Sequence, residues 1–300
     1  MIPLAERLSR GPYPVWYDGA KGTMLAKHLE PGAPSEILNL TAPSTVRAIH
    51  QAYVDAGAQM IQTNTFNGTM PRLSLHDSTI TDEKVYAINK TGAEIARQVA
   101  GNTVYVAGSM GPLGSIMEAD SGDLSDDAAV TAFETQARGL IDGGVNLLHI
   151  ETAYSVPEVL AAITAIRKVS PTMPIMASMS FTSYHSENGF ATMNGVRPAQ
   201  LITLADEHGL LAYGANCGNG FDHLDRLLGQ LHSDHPQATL VMKLNAGMPT
   251  VNDKIEIYLE AVPEKMSLYA EQVYKAGARI IGACCGSTPD LINSMVKAFH

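Results

Sequence analysis

The stretch "YKAGARIIGACCGSTPDLI" (274–292) contains, in order, a helix end, a glycine, an apolar run, two adjacent cysteines and a helix start. The same grammar opens two other segments, "DAGAQMI" (55–61) and "DGGVNLL" (142–148), which match "KAGARII" (275–281). In each, a glycine ends a helix in a left-handed conformation and an apolar run follows. The repeat of this junction is the signature of alternating helices and buried strands.

Eight runs fit the strand half of that unit: 15–19, 60–66, 103–112, 146–152, 174–181, 211–218, 239–247 and 279–286. They are rich in apolar and β-branched residues without clean alternation, as strands covered on both faces are. Amphipathic stretches lie between them. "STVRAIHQAYVDAGA" (44–58) sets Val46, Ile49, Tyr53 and Val54 on one face, with Ser44 as the expected cap and Gly57 as the stop. Eight strand–helix units in 300 residues predict one (β/α)8 TIM barrel of the α/β class, spanning 1–300 as a single domain. A doubly wound open sheet is the alternative. Its first turn would carry a glycine-rich phosphate fingerprint, which "DGAKGT" (18–23) does not match.

The formal net charge is -10, which argues against a nucleic-acid partner needing a basic face. No window approaches the roughly 18 apolar residues of a membrane span. The opening "MIPLAERLSRGPYP" lacks the apolar core of a secretory signal, so a cytoplasmic location is expected. Three cysteines, an odd number, do not suit a disulfide framework, and neighbours in sequence bridge only with strain.

In a barrel the chemistry gathers at the C-terminal ends of the strands. Those ends hold Asp18, Asn64, Ser109 and Met110, Glu151, Ser180, Asn216 with Cys217, Asn245, and Cys284 with Cys285. All three cysteines therefore fall on one face, in glycine-flanked turns. Three thiolates with one open position can hold a catalytic zinc. The bland alternative is three inert buried thiols. Soft ligands and an open position suit activation of an incoming thiol, whose own pKa near about 8.5 leaves little thiolate at neutral pH. Asp18 and Glu151 are the two strand-end carboxylates and could hold a substrate ammonium. Backbone N–H groups of "GSMGP" and "NCGNG" could receive a carboxylate. A turn role for Asp18 and a backbone hydrogen bond for Glu151 are the plain alternatives. Asn64, Ser109, Met110, Asn216 and Asn245 complete the candidate substrate-binding set.

The segments "DGAKGTML", "EILNLTAPSTVRAIHQAYVDAGAQMIQTNTF", "VAGSMGP", "IET", "GANCG", "NAGMP" and "GACCGSTPDLI" resemble, in order from about residue 15 to the C-terminus, the homocysteine S-methyltransferase family. The likeness is nearest to the homocysteine-binding module of cobalamin-dependent methionine synthase. It implies a (β/α)8 barrel whose zinc sits on Cys217, Cys284 and Cys285, with amino-acid contacts at Asp18 and Glu151. The implied chemistry is in-line attack of a thiolate on an activated methyl group. The resemblance covers only the first module of that larger enzyme. The implied donor is then a methyl-corrinoid (methylcobalamin-type) partner protein, or a small donor such as S-methylmethionine or a betaine.

Three positions depart from the family's pattern. Lys21 stands where the first turn has Met, Leu244 replaces the proline of the seventh strand with Lys243 before it, and Met179 lies in the fifth. The two lysines either meet an acidic substrate or partner, or point into solvent, which is the plainer expectation. Three other readings stand beside methyl transfer to homocysteine. One is a corrinoid-linked demethylase component using another thiol. Another is a non-catalytic zinc- or thiol-binding subunit of a methyltransferase complex. The last is a zinc hydrolase, for which the ten histidines offer no His-Glu-x-x-His pattern. Only His149 and His185 fall near strand ends, and the middle of "LLHIET" predicts a packed role for His149. The sequence leaves the oligomeric state open.

Overall fold

The structure, a computed structural model, describes residues 2–11, 13–30, 32–183, 189–218, 221, 224–232, 238–247, 250–252, 255–258 and 262–299. Eight parallel strands make one sheet: β1 (Val15–Trp16), β2 (Met60–Gln62), β3 (Tyr105–Met110), β4 (Leu147–Ala153), β5 (Ile175–Met179), β6 (Ala212–Cys217), β7 (Leu240–Leu244) and β8 (Ala278–Ala283). From β2 to β8 each strand pairs with the next in sequence, and β8 also pairs with β1 through Val15–Ile280 and Trp16–Ile281. A bridge between Tyr17 and Met60 joins β1 to β2 and closes the ring. The fold is a (β/α)8 barrel, which rules out the open sheet.

The main helices are α1 (Pro43–Asp55), α2 (Asp82–Ala100), α3 (Asp126–Asp142), α4 (Val156–Val169), α5 (Pro198–Glu207), α6 (Leu224–His232), α7 (Pro263–Lys275) and α8 (Pro289–Lys297). Gly57, Gly144 and Gly277 follow three of them with φ of 99°, 89° and 105°, so the repeated junction does mark left-handed stops. The start of α1 differs from expectation. Pro43 opens the helix, Ala42 is the capping residue without a side-chain bond, and Ser44 lies inside the first turn. Proline's fixed φ suits the first helical position, which moves the boundary one residue earlier.

Side chains alternate along each strand, and this alternation separates two cores. Leu148, Ile150, Val106 and Ile61 face the helices in the larger core. Leu147, Met176, Val241 and Ile280 face the barrel axis with Val15, Tyr17 and Met60, and Leu4 of the N-terminal helix Leu4–Arg10 packs onto them. Burying each such side chain contributes about 1.5–3 kcal/mol.

The inward column changes character along each strand. It runs Leu147, His149, Glu151 on β4, and Val241, Lys243, Asn245 on and just beyond β7. The lower end is apolar filling and the upper end is polar. Two antiparallel hairpins, Thr182–Ser183 with Phe190–Ala191 and Thr250–Asn252 with Ile255–Ile257, follow β5 and β7 on the polar side. Among the described residues no helix is long and apolar enough to cross a membrane.

Candidate active site

The three cysteines converge. Cys217 ends β6, and Cys284 and Cys285 follow β8 directly. Their sulfur atoms all lie within 4.8 Å of one another, with Cys217 Sγ and Cys284 Sγ 2.8 Å apart and no disulfide. The backbone is shaped to achieve this. Cys217 has φ 56° and Gly218 φ 65°, two successive left-handed residues. A Cβ on Gly218 would stand 2.3 Å from the Phe181 carbonyl oxygen, so only glycine fits.

On the β8 side, Cys284 N–H donates to Leu244 O at 2.8 Å, and the Ser287 hydroxyl donates to Cys284 O at 2.6 Å. Asn245 ties the two cysteine turns together: its Oδ1 accepts from Cys285 N–H at 3.1 Å and its Nδ2 donates to Gly218 O at 3.4 Å.

Asn216 braces the sulfurs from below. Its Nδ2 donates to Thr152 Oγ1 at 2.6 Å and faces Cys217 Sγ at 3.6 Å and Cys284 Sγ at 4.0 Å. Its Oδ1 accepts from Thr152 N–H at 2.7 Å and from the Ser178 hydroxyl at 2.5 Å. Ser178 also meets His149 Nε2 at 2.9 Å, and His149 Nδ1 meets the Tyr17 hydroxyl at 3.2 Å. This fully buried chain gives His149 the packed role expected of it. Burial, then the charge of Lys243, holds its pKa well below the ordinary value, so the ring is neutral. His185 lies outside the described residues.

The crowding of the three thiols fits a cation site. Cys217 is pushed well above the usual thiol range by its contacts with Cys284 and Cys285, then by burial. Three crowded thiols cannot all ionise unless a positive charge compensates them. A divalent ion supplies that charge and displaces the protons. Four-coordinate zinc with bonds of about 2.3 Å spaces its sulfurs by roughly 3.8 Å, within the span observed. The donor set therefore suits zinc with one position open.

The two carboxylates differ in setting. Asp18 is fully buried and saturated. Its Oδ2 accepts from Lys21 Nζ and from Gln62 N–H at 2.9 Å, and its Oδ1 accepts from Lys243 Nζ at 3.4 Å. Both lysines are buried, at 5% and 1% exposure, which overturns the expectation that they point into solvent. Lys243 also donates to Gln62 Oε1 and lies 3.8 Å from the centre of the Tyr17 ring. Lys21 is held down to about 8 by burial, with Asp18 opposing the shift. Glu151 has a raised pKa, caused first by burial and opposed by Lys243, and accepts from the Ser109 hydroxyl.

A cavity of about 370 Å³ opens over the sulfurs, walled by Lys21, Asn64, Phe66, Glu151, Thr152 and Tyr154. The predicted set thus separates by position. The cysteines and Glu151 reach the cavity. Asn64 lines it too, but its amide is spent on Ser35 and Asn39. Ser109, Asn216 and Asn245 stand behind the lining as supports. Met110 is buried in the larger core, and Asp18 lies behind Lys21. Sequence reasoning missed Gln62, Ser178 and Thr152. Thr152 has φ 58°, an uncommon conformation for a β-branched residue, and nothing in its sequence neighbourhood signals it.

The family model described as homocysteine S-methyltransferase matches residues 15–299. The chain belongs to that family. It is similar to methionine synthase of Mycobacterium leprae at 28% identity over 98% of this chain. The chain spans about a quarter of that relative's length, 24%. Among solved structures it is similar to the homocysteine methyltransferase MmuM of Escherichia coli. The metallated form gives 24% identity, 98% and 99% coverage and a TM-score of 0.78. The oxidized form gives 22% identity, full coverage of both chains and a TM-score of 0.77. At that identity the likeness shows the shared fold.

Proposed function

We propose that this homocysteine S-methyltransferase family member moves a methyl group between a donor and the sulfur of a small thiol, homocysteine giving methionine being the reaction in view. The observation that carries the reading is the convergence of Cys217, Cys284 and Cys285 at the floor of the 370 Å³ cavity. Zinc, when bound by these three residues, supplies a Lewis acid that lowers the pKa of the incoming thiol.

The chain's own residues do the rest. Asn216 directs N–H groups at the sulfurs, and Asn245 fixes the two turns against each other. Glu151 faces the cavity as the carboxylate for a substrate ammonium. Among the described residues the inward histidine, His149, is neutral and engaged, and no base is needed for a thiol that arrives ionised. Catalysis is then activation and positioning. A methyl-corrinoid partner is the donor of this proposal, supported by the methionine synthase relative that this chain matches over nearly its whole length.

The test is anaerobic incubation of zinc-loaded protein with homocysteine and methylcobalamin, following the corrinoid spectrum and methionine. Loss of the methyl-corrinoid bands with matching methionine is expected. Methionine formed only from S-methylmethionine or a betaine would replace the donor. Metal-replete protein that makes methionine from none of the three would overturn the reading.

A further inference from the structure

Of the two carboxylates at the polar end of the barrel, one is closed to ligands. Asp18 has no exposed surface, and both of its oxygens accept bonds from inside the protein. A substrate ammonium would have to displace Lys21 to reach it. Two buried ammoniums share the Asp18 carboxylate, and Glu151, the other of these two carboxylates, is buried on the cavity side. Only one of the two ammoniums meets the cavity. Lys243 is sealed behind the wall against the Tyr17 ring, whereas Lys21 forms part of the wall, on the same cavity as the three cysteines. An ammonium has three N–H donors, and among the described residues Lys21 gives one, to Asp18.

We infer that Lys21, backed by the Asp18–Lys243 pair, makes this a site that selects its thiol by an anionic end, a carboxylate or sulfonate a few bonds from the sulfur. Lys243 satisfies Asp18 from behind, so that Lys21 keeps charge to offer to the cavity. Glu151 adds a secondary preference for an ammonium on the same molecule. The inference rests on the proposed reading of the cysteine cluster as a thiol-binding metal site.

The two can be tested apart by loading the protein with Co2+ in place of zinc and recording its sulfur-to-metal charge-transfer bands. Bands from the protein alone test the metal site, and their absence would remove the reading and the inference together. Where they appear, titration with three thiols tests the inference by spectrum, without turnover. Homocysteine and 3-mercaptopropionate should bind within about tenfold of each other. Cysteamine, which has an ammonium and no anion, should bind weaker than 3-mercaptopropionate by on the order of 100-fold, the loss of a charged hydrogen bond. Cysteamine binding as tightly as 3-mercaptopropionate would overturn the inference while leaving the metal site in place. Lys21→Met should weaken 3-mercaptopropionate at least about tenfold and leave cysteamine unchanged; equal effects on both would also overturn it. The wild-type series decides the question even where the variant folds poorly.

Discussion

Lys243 Nζ stands 3.4 Å from Asp18 Oδ1, and both side chains are sealed from solvent at the centre of the barrel mouth. Together with Lys21, this makes a buried triad of one carboxylate and two ammoniums. Breaking such a group costs most when it strands a charge. Asp18→Asn strands two ammoniums and should destabilise by about 3–5 kcal/mol. Lys243→Met leaves Asp18 with Lys21 and the Gln62 N–H, and should cost about 1–3 kcal/mol. Urea unfolding of the two variants checks the order. Equal losses would mean that the three groups are not coupled.

The cysteine cluster predicts a link between metal and function. Cys217→Ala or Cys284→Ala removes one of three sulfurs. Zinc content measured after dialysis should fall from about one per chain to near zero, and methyl transfer with it. A variant that keeps full activity without zinc would reject the cluster as the catalytic centre.

Glu151→Gln keeps a partner for the Ser109 hydroxyl and removes the charge that faces the cavity. The homocysteine KM should rise about tenfold with zinc content unchanged, while that of 3-mercaptopropionate should stay put. An unchanged homocysteine KM would take Glu151 out of the substrate site.

Gly218 follows Cys217 in a second left-handed position, with the Phe181 carbonyl where a Cβ would sit. Gly218→Ala should cost about 2–3 kcal/mol in unfolding experiments. It should also weaken zinc retention, because the turn that aims Cys217 must shift. Stability equal to wild type would show that the turn can relax without cost.

His50 is fully buried and neither ring nitrogen has a hydrogen-bond partner among the described residues. Burial, then the charge of Lys21, sets its pKa well below the ordinary 6.5. The folded protein keeps this ring neutral, while the unfolded chain takes up a proton below pH 6.5. The unfolded state binds more protons there, so stability is held above that pH and is lost as pH falls. The slope from this residue is about 1.4 kcal/mol per pH unit. His50→Leu should flatten the fall in unfolding free energy, measured in urea, between pH 6 and 5 by about that amount. An unaltered slope would place the loss elsewhere, with His149, whose pKa is shifted the same way, the first candidate.

The sequence by itself determined the strand–helix alternation and the level of the site. Helix stops such as Gly57 and Gly277 are local events, dictated by φ preferences within a few residues. The apolar runs between them could only be strands covered on both faces. Counting eight such units placed Cys217, Cys284 and Glu151 at strand ends on one face, and the observed 4.8 Å cluster follows from that count. Only the tertiary structure decided which of those residues meet the ligand. Whether a strand-end side chain points along the axis or into the helix layer depends on register, and a single residue of register inverts it. Ser109 and Met110 are neighbours in sequence, yet one supports Glu151 and the other packs in the larger core. The fate of Lys21 and Lys243 was beyond sequence altogether. Each lysine alone reads as a solvated side chain. Their burial depends on Asp18 lying between them, 3 residues from one and 225 from the other, and the closed ring of strands creates that meeting.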